Sequence, residues 1–387
     1  MYDPVAKRPA VDLIFFDAGG GHRAAATALE SVIRQQDRPW DIRLVDLQDV
    51  LDDLDIFRKV TGIRAEDVYN SILEKGWTLG SSYLLPLMHG IIRFYHPAQV
   101  RMLTNFWTAN PPDLAVSLVP NFDRSMWIAL QKINPRIPFV TVLTDKADFP
   151  PHFWIERQKQ HFVCGTDRAM QQVREISPES SAHRVSGMIL NPKFYEVPQV
   201  DVGAERARLG LDPTRPTGLV LFGGMGSEKM DEIFRRIDAS PLDVQLILIC
   251  GKNESLRQRL SQRSSRIAKF VEGFTREVPR YMRLSDFFIG KPGPGSISEA
   301  IHMGLPVIVE NNGWTLPQER FNANWVAAQN VGECLDSLSR IVPALTRTLA
   351  PARFAELQKN VRAIQNRAVF EVPAVLDNIL SGSSNSI

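Results

Sequence analysis

The sequence predicts an α/β protein built from two similar halves, each a parallel sheet covered by helices. Short apolar, β-branched runs alternate with segments of helical period through both halves. Most of these runs are apolar on nearly every residue, as strands buried on both faces are. Glycine-rich strings follow a strand candidate in each half, where a strand would turn into a helix.

Taken in order, the strand candidates of the first half are Val11–Phe16, Ile42–Leu47, Asp113–Val119, Pro138–Thr144 and His161–Cys164. Those of the second are Gly218–Phe222, Val244–Cys250, Phe270–Gly273, Asp286–Ile289 and Pro306–Glu310. A seam falls near residues 190–216, where NPKFYEVPQVD and LDPTRPT concentrate proline and polar residues. The expected division is therefore a Rossmann-like domain over 1–195, a second over 196–345, and a helical tail over 346–387 that packs back on the first and frays at SGSSNSI. Open α/β sheets bind ligands at the carboxyl ends of their strands, so two such sheets facing each other would share one cleft.

Composition narrows the class. The chain has 387 residues, 44% of them hydrophobic and 23% charged, enough apolar material for more than one core. No apolar run reaches the roughly 18 residues of a spanning helix. Lys+Arg 45 against Asp+Glu 43 leaves a net charge of +2, unlike a bulk nucleic-acid binder. Cys164, Cys250 and Cys334 are far apart and odd in number, which suits buried thiols in a reducing compartment better than disulfides or zinc. The first strand candidate begins within about ten residues of the start, so no leader peptide is expected and the chain is read as cytoplasmic.

The stretch 56–110 fits neither pattern. It nets +3, has no acidic residue between Lys75 and Pro112, and repeats aromatics at Trp77, Tyr83, Phe94, Tyr95, Phe106 and Trp107. A basic, aromatic, acid-free surface suits docking on anionic lipid, and the alternative is a helical insertion packed on the first sheet.

Two loops carry the chemistry. DAGGGHRAAATAL sets Gly19, Gly20 and Gly21 ahead of His22 at a helix start. Bare backbone there admits a ligand closely, and a histidine at a cleft mouth can take a proton from a hydroxyl. The same string satisfies a dinucleotide fingerprint through Gly19, Gly21 and Ala24, with Asp46 at the end of the next strand, so a nicotinamide-dependent oxidoreductase is the alternative from another class. In the second half, VLFGGMGSEKM offers Gly223, Gly224 and Gly226. KPGPGSISEA places Gly293, Gly295 and Ser296 at a helix start, with Glu299 one turn in. That arrangement presents N–H groups to a diphosphate and a carboxylate to ribose hydroxyls, without the lysine-Ser/Thr pair of a Walker loop.

GGGH, CGKN, the Gly273-Phe274 pair, KPGPGSISEA, GLPVIV and PQERFN together resemble the monogalactosyldiacylglycerol synthase family, over roughly residues 11–335. These are inverting glycosyltransferases of the two-domain GT-B fold, related to the N-acetylglucosaminyltransferase of peptidoglycan precursors. The resemblance implies transfer of galactose or glucose from a UDP-sugar to diacylglycerol, at the inner face of a membrane. It implies His22 as the base; Gly223, Gly224, Gly226, Gly295 and Ser296 on the diphosphate; Gly273, Phe274 and Glu299 on the nucleoside; and Gln318, Glu319 and Asn322 on the sugar. Gly20, Gly21, Asp145, His152 and Trp154 would lie on the acceptor side. No obligatory metal is implied, and Asp53-Leu54-Asp55, in a charged segment after the second strand, is not read as a ligand pair. The chain departs from the family in the spacing of His152 and Trp154, in its shorter FGGMGS loop, and in SLVPNF, which lacks a histidine before the proline. Alternative acceptors are a polyprenyl-linked or a soluble hydroxyl, and a non-enzymatic nucleotide- or lipid-binding relic would require His22 or Glu299 to be replaced.

Overall fold

A computed structural model describes residues 8–17, 21–51, 81–196 and 198–382, with the backbone alone over 81–93. These residues divide into two compact units. One holds the described residues below 52, residues 82–192 and residues 367–382; the other holds 193–366.

In the first unit six parallel strands run β1 (Ala10–Phe15), β2 (Asp41–Asp46), β3 (Leu114–Ser117), β4 (Phe139–Val142), β5 (His161–Cys164) and β6 (Ser181–Arg184). Their order across the sheet is β2-β1-β3-β4-β5-β6, so the winding reverses between β1 and β3. AVDLIF, LAVS and FVTV are buried along their whole length, which is why they read as continuous apolar strands. Helices α1 (Gly21–Gln35), α2 (Leu47–Leu51), α3 (Ser81–Ala109), α4 (Asp123–Ile133) and α5 (Asp167–Ile176) cover the sheet. Helix α3 buries Val100, Leu103 and Trp107, spaced to share one face. Its end is pinned: the Trp107 Nε1 donates to Asp12 Oδ2 at 2.8 Å inside β1, and Arg43 holds the other oxygen. Burial still pushes the Asp12 carboxyl above its ordinary range, against both bonds.

The second unit repeats the plan with β7 (Thr217–Leu221), β8 (Gln245–Ile249), β9 (Lys269–Glu272), β10 (Phe287–Gly290), β11 (Val307–Glu310) and β12 (Gly332–Leu335), all parallel, in the order β12-β11-β10-β7-β8-β9. That is the doubly wound order of dinucleotide-binding domains, and its switch point lies between β7 and β10. Helices α6 (Val202–Arg208), α7 (Lys229–Asp238), α8 (Glu254–Gln262), α9 (Val278–Arg283), α10 (Pro294–His302), α11 (Pro317–Ala328), α12 (Ile341–Thr348) and α13 (Pro351–Ala363) complete it. Val220, Leu246, Leu248 and Phe287 of the sheet pack with Phe234 of α7 and Ile341 and Leu345 of α12.

Each sheet has one strand more than the sequence predicts. The additions, SAHR in β6 and GECL in β12, lie at sheet edges and carry no apolar run to betray them. The tail expected from 346 is divided. Helices α12 and α13 stay with the second unit, where α13 buries Leu357 and Val361 and is tied by Asn360 Nδ2 to the Asn330 carbonyl at 2.9 Å. Only α14 (Ala368–Leu380) packs on α1 of the first unit. It is fastened there by Arg38 to Asp377 at 2.8 Å and by Glu371 Oε2, which accepts from the Ser186 N–H at 2.6 Å.

Candidate active site

In the first unit the reversal of winding falls beside the turn into α1, and His22 is the second residue of that helix. A Cβ on Gly21 would meet nothing within 4 Å, so space adjoins the turn. Gly19 and Gly20 lie outside the described residues, as do Asp53-Leu54-Asp55 and residues 56–80 of the basic segment. The His22 Nδ1 stands 3.2 Å from the Thr144 hydroxyl, just beyond β4, and the Leu118 carbonyl beyond β3 also bonds the ring. Burial lowers the His22 pKa to about 4, the Leu118 bond opposing it. The half-buried imidazole is therefore neutral at pH 7, the form in which it can accept a proton.

The Trp154 ring lies 5.9 Å from the His22 ring, and its Nε1 donates to Asp145 Oδ2 at 2.9 Å. Trp154 is fully buried in a core with Leu143, Phe153 and Phe162. The sequence reading puts Trp154 on the acceptor side; in the structure it is buried next to His22, its indole bonded to the buried Asp145 carboxylate. His152 is not brought to His22 by any described contact. It sits in an exposed turn at φ +67, its Nδ1 3.3 Å from the Ile155 carbonyl. Asp148, which the sequence reading missed, organises that loop by accepting from the N–H groups of His152 and Trp154 at 2.8 and 2.6 Å. Asp46 accepts from the Gln48 N–H at 3.0 Å and so caps α2.

In the second unit two glycine loops flank the switch point, one after β7 and one after β10. The first is locked to the loop after β8. The Lys252 N–H donates to the Gly224 carbonyl at 2.8 Å, Gly226 has φ +71 with the Cys250 carbonyl 2.2 Å from where its Cβ would be, and Gly251 has φ +59 against the Gly224 carbonyl. Only glycine fits either position. Gly224 and Gly295, by contrast, have nothing within 4 Å of a would-be Cβ, so their bare backbone faces open space. Gly293 precedes Pro294 at the start of α10, and the Ser296 hydroxyl donates to the Gly293 carbonyl at 3.3 Å. Glu299 is half-buried further along α10, and burial pushes its pKa up to about 7.

Helix α11, on which Gln318 also lies, brings Glu319 and Asn322 to the loop after β10. Glu319 is buried and pairs with Lys291 Nζ at 3.0 Å, Lys291 being a residue the sequence reading left without a role. Asn322 is fully buried, donates to the Pro292 carbonyl at 3.1 Å, and its Oδ1 is without a hydrogen-bond partner among the described residues. Gln318 is half-buried one turn before it. At the nucleoside position, the Gly273 N–H is already donated to Glu272 Oε1 at 2.8 Å, while the Phe274 ring is 59% exposed with Lys252 Nζ 5.8 Å from its centroid. Among the described residues no three His, Cys, Asp or Glu side chains cluster as metal ligands.

The chain is similar to several known proteins. Residues 219–369 match the glycosyltransferase family 28 C-terminal domain. A probable monogalactosyldiacylglycerol synthase 2 of Oryza sativa subsp. japonica is 28% identical over 83% of this chain and 69% of its own. Monogalactosyldiacylglycerol synthase 1 of Arabidopsis thaliana is 26% identical over 95% of this chain and 70% of its own. Among solved structures, MurG of Acinetobacter baumannii is similar with a TM-score of 0.59 at 12% identity, over 96% of this chain and 100% of that one. Anabaena HepE in complex with UDP is similar with a TM-score of 0.55 at 14% identity, over 97% of this chain and 100% of that one. The fold is GT-B: two parallel six-stranded sheets with helices and a long C-terminal helix.

Proposed function

We propose that this glycosyltransferase, whose residues 219–369 form a family 28 C-terminal domain, moves a hexose from UDP-galactose or UDP-glucose to the hydroxyl of diacylglycerol with inversion. The observation that carries the reading is the pair of bare glycine loops at the β7/β10 switch point, with Glu299 along the helix that one of them starts. Gly223, Gly224, Gly226, Gly295 and Ser296 receive the diphosphate, where the α10 N–H groups offset the charge that develops as UDP leaves. Glu299 accepts from the ribose hydroxyls. Phe274 takes the base beside Gly273, whose N–H is engaged by Glu272, so the Phe274 backbone carries that contact. Gln318 and Glu319 read the sugar hydroxyls, and Asn322 holds the loop beneath them.

His22 takes the proton of the acceptor hydroxyl as its oxygen attacks the anomeric carbon. The bond from that carbon to the diphosphate oxygen breaks, UDP leaves with the electron pair, and the configuration inverts in one displacement. Thr144 and Leu118 hold the imidazole, and Trp154, itself held by Asp145, packs behind it.

For the lipid acceptor, the support is the resemblance to monogalactosyldiacylglycerol synthases and the outer face of α3. Phe94 is 77% exposed there, and Arg101 and Phe106 are exposed too, while Val100, Leu103 and Trp107 face inward. No helix among the described residues is long and apolar enough to cross a membrane. An aromatic, basic face suits peripheral attachment to anionic lipid. The test is glycolipid synthesis by purified protein on liposomes containing diacylglycerol, with each UDP-hexose in turn. Product with either donor supports the reading. Transfer only to a polyprenyl-linked or soluble hydroxyl overturns the acceptor and leaves the donor standing.

A further inference from the structure

We propose that Lys291 is the cation that receives the donor's diphosphate, and that Glu319 holds it in place until the donor arrives; this rests on the reading of the β7/β10 loops as the donor site. Lys291 is the first residue after β10. Its Cε lies 3.5 Å from where a Cβ on Gly223 would stand and 3.3 Å from where one on Gly293 would stand. The end of the lysine stem therefore lies against both glycine loops, one on each side of the switch point; a Cβ at 293 would crowd it, and one at 223 would be in ordinary contact with it.

Its charge is placed with equal economy. The Nζ donates to Glu319 Oε1 at 3.0 Å. The lysine side chain is 38% exposed and that of Glu319 only 10%, so the ammonium sits at the wet end of a pair whose carboxylate is buried. Of the other lysines of these loops, Lys229 is paired in the same way, with Glu310 at 2.6 Å, and Lys252 lies over the Phe274 ring, so it is the position of the Lys291 stem between the two glycine loops that singles it out. An ammonium has three donors and no fixed plane, so it can turn from a carboxylate toward phosphate oxygens by rotating its own stem. A nucleoside diphosphate brings more negative charge than helix N–H groups alone can offset.

This arrangement makes Glu319 a competitor of the diphosphate for one cation. A donor whose sugar hydroxyls bond Glu319 relieves that competition, whereas UDP alone must win the lysine from it. Lys291 would thus couple recognition of the sugar to recognition of the leaving group.

The experiment is calorimetric titration of the full chain with UDP and with uridine, in the wild type, Lys291→Met, Lys291→Arg, Glu319→Gln and the Lys291→Met/Glu319→Gln double variant. Lys291→Met should weaken UDP about ten- to a hundredfold, the range of a hydrogen bond between charged groups, and leave uridine unchanged. Lys291→Arg should recover part of the loss. Glu319→Gln should tighten UDP several-fold, and the gain should vanish in the double variant. An equal loss of UDP and uridine in Lys291→Met, or an equal gain from Glu319→Gln with and without the lysine, overturns the role of Lys291 while the donor site stands. If the wild type binds uridine and UDP equally or neither, the donor-site reading itself fails and the inference with it. Should Lys291→Met fail to fold, Lys291→Arg and Glu319→Gln decide alone: no tightening in Glu319→Gln overturns the competition.

Discussion

The Nδ1 of His22 and the hydroxyl of Thr144 stand 3.2 Å apart, though 122 positions separate them in the chain. The bond joins the first turn of α1 to the residues just beyond β4, so the fold, and not local sequence, orients this imidazole. His22→Ala should lower turnover about 10²- to 10⁴-fold, the usual worth of a general base, with UDP affinity unchanged. Thr144→Val should cost a smaller factor, about tenfold, and Thr144→Ser should restore it. Steady-state kinetics beside UDP titration checks both. Turnover in His22→Ala near the wild-type rate removes His22 from the role of base.

The half-buried imidazole sets a pH dependence. A base works deprotonated, and with its pKa lowered to about 4 the working form is lost only as pH falls through that value. The acid limb of kcat/KM attributable to His22 should therefore lie well below pH 6. A limb centred near 6.5 would show an imidazole in contact with water.

Glu299 predicts the opposite dependence for stability. Its carboxyl gives up its proton at its ordinary 4.5 when unfolded and at about 7 when folded. Between those values the folded state holds the extra proton, so the contribution to stability is full below pH 4.5 and is lost as pH rises through 7. Glu299→Gln should raise Tm relative to wild type at pH 8 and change it little at pH 4.5, with about 1–3 kcal/mol between the two. The same variant should bind UDP more weakly, since an amide offers one acceptor where the carboxylate offers two. Thermal melts at the two pH values, with UDP titration, decide it.

Glycines of one loop should part company on substitution. Gly226→Ala forces a Cβ onto the Cys250 carbonyl at a positive φ, and should cost about 1–3 kcal/mol in denaturant unfolding. Gly224→Ala meets nothing within 4 Å and has no positive φ, so stability should hold. Its methyl group would stand where the diphosphate approaches, so UDP affinity should fall at least about tenfold. Equal melting of the two variants would show that the two loops are not locked together.

Buried parallel strands were legible because burial on both faces writes an apolar residue at nearly every position: AVDLIF and QLILI announce themselves. SAHR and GECL do not, since an edge strand needs backbone pairing more than an apolar surface. The glycine loops were visible as strings, and α10 begins within KPGPGSISEA, as read. What stayed hidden were partners distant in the chain. Lys291 stands in plain view in KPGPGSISEA, but its Glu319 is 28 positions on and only the packing of α11 brings them together. Trp154 and Asp145 both stand out in the sequence, but the bond between them does not. Gly273 reads as a free backbone donor until Glu272, its own neighbour, is seen to take the N–H.

The placement of α14 has a consequence for synthesis. The sheet and helices of the second unit, β7–β12 and α6–α13, come from one stretch, 193–366, which can close once the ribosome has released it. The first unit is begun earlier but takes a helix from residues 368–380, so α1 lacks that partner until the whole of 193–366 has been made. The unit that carries His22 is thus begun before the second unit and completed after it, reversing the usual order in which nascent domains mature. A chain that stalls before residue 367 would hold a complete second unit and a first unit still open along α1.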